Sequence, residues 1–248
     1  MQPAPASPVR LELFLLGRPE IRVGGQPLLV QPPVKGQALI FYLAATRRTL
    51  TREALAGLFW GEMDGESARA NLRLTLSRLQ KLVGPCLLAD RREVRCNFDW
   101  PVWVDVHEFA TALSPRKTLH SDAVRASLNL YRSEFLHDFS VDDVPEFEMW
   151  VLGERERLHR LALEGLQTLL QSEIEAGALF DGINTTRRML DLEPWHEEAH
   201  RLLMWLLNAT GQRSSALTQY EACCRILEAE LGVPPDTETV KLYEQIKS

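Results

Sequence analysis

The sequence predicts an α+β amino-terminal region followed by an all-α region, and three observations carry that expectation. Strand-type alternation and tight-turn dipeptides are confined to roughly the first hundred residues. From Val106 onward the apolar residues recur at helical spacing, with no convincing strand. Within that helical stretch an offset of 34 residues repeats, relating Gly177 to Gly211, Ile183 to Leu217, Leu169 to Leu203 and Gly182 to Ala216. This is the period of a tetratricopeptide-like helical hairpin, with small residues where helices approach closely.

The elements follow in order. Residues 1–9 are expected as a flexible tail, and MQPAPASPVR has neither the basic start nor the apolar stretch of a secretory signal. Arg10 to Gly17 (RLELFLLG) and Arg18 to Gly24 (RPEIRVG) suit strands. Gly24-Gly25 turns the chain into Pro27-Leu28-Leu29-Val30, giving a small antiparallel sheet. Pro32-Pro33 ends it, and Val34 to Thr46 is a helix with Leu39, Ile40, Tyr42 and Leu43 on its apolar side. After the extended piece Arg48-Thr49-Leu50, Thr51 caps a two-turn helix that turns Ala54, Leu55, Leu58 and Phe59 inward. The loop from Gly61 to Gly65 leads into a longer helix, Glu66 to Val83, which Gly84-Pro85 stops. Leu87-Leu88-Ala89 and Val94-Arg95-Cys96-Asn97 then form a hairpin around Asp90-Arg91-Arg92-Glu93. Helix, short helix, turn and longer helix make a helix-turn-helix, and the hairpin behind it is a wing.

The expected organisation is therefore an α+β winged helix over residues 10–98, a linker over 99–105, and an all-α tetratricopeptide-like helical repeat domain over 106–248. Helices are predicted at Val106 to Leu113, Ser121 to Phe135, Val144 to Ala176, Leu179 to Leu192, Trp195 to Thr210, Arg213 to Leu231 and Thr237 to Lys247. Ser121 and Thr237 are the expected caps, and Gly177, Pro194, Gly211 and Pro234-Pro235 are the breakers. Trp100, Trp103 and Trp150 are expected to pack a seam between domains rather than to stack bases, because the linker is not basic.

Composition narrows the function classes. No apolar run approaches the roughly 18 residues that span a membrane, and the four cysteines, Cys86, Cys96, Cys223 and Cys224, do not form a disulfide framework. A reduced, cytoplasmic protein is the expectation. The net charge of −6 conceals an uneven division. Residues 1–115 hold 14 basic and 11 acidic side chains, whereas 116–248 hold 14 and 23. Between Lys35 and Arg95 there are 11 basic against 6 acidic, a local excess of +5 that suits contact with an anion.

That excess centres on the longer helix. Ala68, Leu72, Thr75, Leu76, Leu79, Leu82 and Val83 share one face. The opposite face carries Ala70, Arg73, Leu74, Ser77 and Lys81, flanked by Arg69, Asn71 and Arg78, and Arg91 and Arg92 stand at the wing, where a backbone or minor-groove contact falls. An enzymatic motif competes for attention. His196-Glu197-Glu198-Ala199-His200 fits H-E-x-x-H, in which two histidines one turn apart hold zinc and a glutamate acts as base. It follows Pro194 at a helix start, where Glu197 and Glu198 complement the helix dipole, and that role outweighs the zinc reading. No phosphate loop or triad spacing is present, so neither an enzymatic function nor a cofactor or metal is expected. Asp142-Asp143 and Glu197-Glu198 are expected to be solvated or capping.

Several stretches together resemble one family. TREALAGLFWGEMDGESARANLRLTLSRLQKLVG with its hairpin is similar to the response-regulator-type winged helix. Leu130 to Leu136 (LYRSEFL), Asp143 to Arg157 (DVPEFEMWVLGERER) and His196 to Met204 (HEEAHRLLM) resemble the bacterial transcriptional activator domain. The combination resembles the antibiotic-regulatory-protein family of bacterial activators over nearly the whole length. The resemblance implies a recognition helix in the major groove of double-stranded promoter DNA and a helical domain that supports homodimers and contact with RNA polymerase, with no membrane partner. Members often carry two consecutive basic residues after the Asn-Leu pair, whereas here Arg73 is followed by Leu74, which offers an apolar contact such as a thymine methyl. A second function class is an interaction module whose winged helix leaves DNA alone and whose repeat groove binds a peptide or regulatory partner.

Overall fold

The computed structural model of the chain describes residues 10–114 and 121–248, and the expected tail at 1–9 lies outside them. The described residues divide into two compact units, one within Met1–Arg116 and Asn129–Leu158, the other within Lys117–Leu128 and His159–Ser248.

In the first unit, β1 (Leu11–Phe14) pairs antiparallel with β2 (Glu20–Val23), which pairs with the two-residue β3 (Gln26–Pro27). Leu11 and Leu13 point into the core and alternate with half-buried Glu12 and Phe14, as the period of two requires. The strand expected from Pro27 through Val30 stops at Pro27. Only Leu28 N still donates, to Ile21 O, and Leu29 and Val30 run out into solvent. Residues 99–105, expected as a linker, carry β7 (Val102–Val104), which pairs in parallel with β1 and makes the sheet mixed, in the order β3-β2-β1-β7.

The end of β1 is the anchor of this unit. Asp105, the first residue of α4 (Asp105–Ala112), is buried and accepts the amides of Leu15 at 2.8 Å and Leu16 at 2.9 Å. Burial nevertheless pushes its carboxyl up to about 6, against those amides and the nearby Arg132. The helix expected over Ser121–Phe135 is α5 (Ser121–Leu128) and ends there. The chain beyond it bonds instead to the end of β1: Gly17 N donates to Glu134 O, Leu136 N to Leu15 O and Arg132 Nε to Leu16 O. Leu136 takes a left-handed φ of 50° in doing so. Thus the LYRSEFL stretch carries a structural bridge, with Tyr131, Phe135 and Leu136 buried.

Helix α1 (Val34–Thr46) buries Ala38, Leu39, Ile40, Phe41 and Leu43, so Phe41 joins the expected apolar set while Tyr42 lies half-buried. Phe147 and Trp150 on α6 (Pro145–Glu175) close over it: Trp150 meets Tyr42 edge-on at 4.7 Å and Phe135 at 5.4 Å, and Phe147 lies 5.8 Å from Phe59. Trp103 packs 4.9 Å from Phe14 within the sheet. Trp150, from the stretch expected as the helical domain, thus packs on α1 of the stretch expected as the winged helix, within the first unit; Trp103 lies against the sheet, and Trp100 is left at the surface.

The second unit holds α5, the later part of α6, and α7 (Leu179–Leu192), α8 (Glu197–Ala209), α9 (Arg213–Leu231) and α10 (Thr237–Lys247). Helix α7 packs on α8 and α8 on α9, and α10 packs on both α8 and α9. The 34-residue offset has physical content here. Gly177 and Gly211 hold matched left-handed turns, at φ 71° and 79°. A Cβ on Gly182 would come within 3.4 Å of Leu170 and Leu206, so close helix approach requires a small residue there. The cap of α10 is Asp236 rather than Thr237, its carboxylate accepting the amides of Glu238 and Thr239.

Candidate nucleic-acid interface

Helix α2 (Arg52–Trp60) begins at Thr51, whose hydroxyl accepts the Ala54 amide. It buries Leu55, Ala56, Phe59 and Trp60, whereas Ala54, expected inward, is exposed. Helix α3 (Gly65–Val83) begins one residue before the predicted start, capped by Asp64, which accepts the Glu66 and Ser67 amides. Its buried stripe is Ala68, Leu72, Leu76, Leu79 and Val83, packed against α1 and α2, with Thr75 and Leu82 half-buried at the margins. Because that face is filled, Arg69, Arg73, Leu74, Ser77, Arg78 and Lys81 stand on the exposed side. Leu74 is 50% exposed, a large apolar side chain held out among cations.

The hairpin expected as a wing consists of β5 (Leu87–Ala89) and β6 (Glu93–Cys96), with Leu88 opposite Arg95 and Ala89 opposite Val94. A third strand, β4 (Leu50–Thr51), pairs with β6 on its other side, setting Thr51 opposite Glu93. This pairing brings the start of α2 beside the wing tip. Cys86 and Cys96 are buried free thiols, and desolvation pushes the Cys96 thiol up to about 12, so they act as core residues.

The result is an open hollow of about 540 Å³ lined by Thr51, Arg52, Glu53, Arg69, Leu72, Arg73, Arg91 and Arg92. Four of the residues predicted from sequence, Arg69, Arg73, Arg91 and Arg92, meet there. Arg52 is the fifth arginine and was not predicted, because only the β4–β6 pairing brings it to the wing. Glu53 is the single carboxylate of the lining. Among the described residues, Arg69, Arg73, Arg78, Lys81, Arg91 and Arg92 form no salt bridge. Ser77, Arg78, Lys81 and Leu74 continue along α3 outside the hollow. Asn71 does not present its amide outward; it is half-buried and donates to Met63 Sδ at 3.1 Å. Such a concentration of guanidinium groups with one opposing carboxylate suits a polyanion.

Other basic residues of the same unit are already engaged. Lys35 pairs with Glu62 at 3.2 Å. Arg47 lies over Phe98 and donates to His107 Nδ1, while His107 Nε2 bonds to Ala45 O and burial holds its pKa below the usual value.

The H-E-x-x-H stretch has a different use. His196 caps α8 through its ring, accepting the Ala199 amide. His200 is buried with both ring nitrogens occupied, Nε2 on Pro194 O at 2.8 Å and Nδ1 on Gln219 at 2.6 Å. Glu197 accepts the Asp236 amide. The motif binds α8 to α9 and to the segment before α10, with both ring nitrogens of His200 in use.

The sequence matches the Bacterial transcriptional activator domain over residues 104–247, more than half of the chain. The chain belongs to this family. It is of the antibiotic-regulatory-protein type, and the family is one of transcriptional regulators rather than enzymes. It is 28% identical over 251 residues to Regulatory protein AfsR of Streptomyces griseus, covering 98% of this chain and 25% of that protein. With Regulatory protein AfsR of Streptomyces coelicolor it shares 28% identity over 231 residues, covering 90% and 23%. The chain thus spans about a quarter of the length of these curated relatives. Its fold is similar to that of Mycobacterium tuberculosis EmbR, solved in complex with a low-affinity phosphopeptide. The TM-score is 0.67 at 22% identity, over 96% of this chain and 65% of that one. Among the described residues no helix is long and apolar enough to cross a membrane.

Proposed function

We propose that this family member is a sequence-specific DNA-binding activator. In this reading, residues of the first unit form a winged helix. Helix α3 lies in the major groove of promoter DNA with Arg69, Arg73, Leu74, Ser77, Arg78 and Lys81 toward the bases and phosphates. Arg91 and Arg92 hold the flanking backbone or minor groove from the wing. The second unit serves as a tetratricopeptide-like repeat for self-association and contact with RNA polymerase, and the protein acts in the bacterial cytoplasm. The observation that carries the proposal is the convergence of five arginines from α2, α3 and the wing on one open hollow with a single opposing carboxylate.

Footprinting and gel shifts with the unmodified protein, Arg73→Ala and Arg91→Ala test it. Loss of a bidentate arginine–guanine pair costs about 1–3 kcal/mol and relaxes the preference at one base pair. Loss of a wing arginine weakens all sequences alike and flattens the salt slope by about 0.9. Leu74→Arg is expected to change the preferred sequence rather than to abolish binding. Failure of the unmodified protein to protect any duplex at moderate salt defeats the proposal.

A further inference from the structure

The wing tip contains a residue of the wrong sign for its position. Asp90 opens the turn that carries Arg91 and Arg92, and an exposed carboxylate there would repel a phosphate. Its geometry shows another use. Asp90 Oδ1 accepts the amides of Arg92 at 2.7 Å and Glu93 at 2.8 Å, and Asp90 N donates to Glu93 O at 3.0 Å. These amides hold its carboxyl below the usual carboxylate range. From the other side, Arg52 Nη1 donates to Asp90 O at 2.9 Å and Arg52 N donates to Arg92 O at 2.9 Å. Strands of three and four residues form a weak hairpin when isolated. Here the turn is fixed internally by the carboxylate and externally by the first residue of α2.

Resting on the DNA-binding reading above, we infer that Asp90 and Arg52 are positioning residues. Together they brace the wing tip against α2, so that Arg91 and Arg92 stand in fixed register with Arg69 and Arg73. The brace makes the phosphate-facing arginines of the wing a preset group rather than a mobile loop, which lowers the ordering cost of binding. Asp90 contributes through its acceptor oxygen, and its charge is a liability. Arg52 contributes through the fixed planar geometry of its guanidinium, which a lysine lacks.

This assignment reverses the sign expected from charge alone. Removing a carboxylate from a DNA-facing surface strengthens binding if charge is all that matters. Asp90→Ala removes charge and acceptor, whereas Asp90→Asn removes the charge and keeps the acceptor. The test is fluorescence anisotropy of the full chain with a labelled duplex that the unmodified protein selects from a random-sequence library, titrated at several salt concentrations. Amide hydrogen exchange at Arg92 and Glu93 and thermal melts are measured alongside.

Asp90→Ala is expected to bind about tenfold more weakly, with a salt slope reduced by about 0.9 to 1.8 as one or both wing contacts loosen. The Arg92 and Glu93 amides should lose protection while the melting temperature stays within a degree or two of the unmodified protein. Asp90→Asn is expected to keep that protection and to bind about twofold tighter. Arg52→Lys, which keeps the charge, should weaken binding toward the Asp90→Ala value. Any result in which Asp90→Ala and Asp90→Asn move binding together, or in which Arg52→Lys matches the unmodified protein, overturns the brace. If the unmodified protein selects no duplex, the DNA-binding reading has failed and the brace falls with it; if it does and only the variants disobey, the brace alone has failed.

Discussion

Arginines of the helical unit and the arginines of α3 and the β5–β6 hairpin are used in opposite ways. In the helical unit, Arg125 pairs with buried Glu173 at 2.7 Å, and Arg201 with Asp236 at 3.1 Å. Arg213 donates to the carbonyls of Ile246 and Lys247, and Arg188 to that of Leu128. On α3 and the β5–β6 hairpin, the guanidinium groups of Arg69, Arg73, Arg91 and Arg92 have no salt bridge among the described residues and face one hollow. The comparison teaches that arginine content alone says little about a partner. Residues 116–248 contain as many basic residues as 1–115, but with 23 carboxylates against 11, and Arg125 and Arg201 among them are paired as just described. A ligand face shows where cations are kept together and left without an internal use.

The contrast can be broken most forcefully at the core that holds the arginine face in place. Phe147→Ala should destabilise the first unit by about 3–5 kcal/mol, read by denaturant unfolding. It should also weaken DNA binding although residue 147 lies on no DNA-facing surface. A loss below about 1 kcal/mol would mean that α6 is dispensable to the first unit.

Asp105 gives the next effect. A carboxyl whose folded pKa of about 6 lies above its ordinary value of 3.8 favours the folded state fully only below that ordinary value. Its contribution is lost as pH rises through about 6. The difference in stability between the unmodified protein and Asp105→Asn should therefore change between pH 4 and 6 by up to about 3 kcal/mol. A flat difference across that window would show that the amide donors of Leu15, Leu16 and Val106, rather than burial, set its ionisation.

Arg73→Ala and Arg201→Ala sharpen the contrast directly. The first should cost about 1–3 kcal/mol of DNA affinity with little change in stability. The second, which removes an ion pair near the surface, should alter stability by no more than about 1 kcal/mol and leave DNA affinity unchanged. Equal effects on binding would erase the distinction drawn between the two sets of arginines.

How much of this was legible depended on the distance over which residues act. The limits of α1, α7, α9 and α10 coincide with those expected, because caps, breakers and periodicity are local signals. The apolar stripe of α3 was legible for the same reason. The parallel pairing of β7 with β1 was not, since three residues near a Trp-Pro turn carry no mark of a partner about 90 positions away. Nor was the role of LYRSEFL, whose helical pattern is overridden by hydrogen bonds to Leu15, Leu16 and Gly17. In the candidate interface, charge and spacing identified Arg69, Arg73, Arg91 and Arg92. Arg52 was missed because its place depends on a two-residue strand, and Asn71 was assigned outward because periodicity does not register its bond to Met63.

The pairing of Asp105 and LYRSEFL with the end of β1 also bears on the order in which the molecule is made. Helix α3 and the β5–β6 hairpin are complete by Cys96, yet the sheet, the aromatic lid and the bridge require residues as far as Leu158. A ribosome adding about 5–20 residues per second takes several more seconds to supply that interval. During that interval the cationic helix emerges before the side chains that complete its unit, so its arginine face is held in place only after part of the region matched to the activator domain has followed it out.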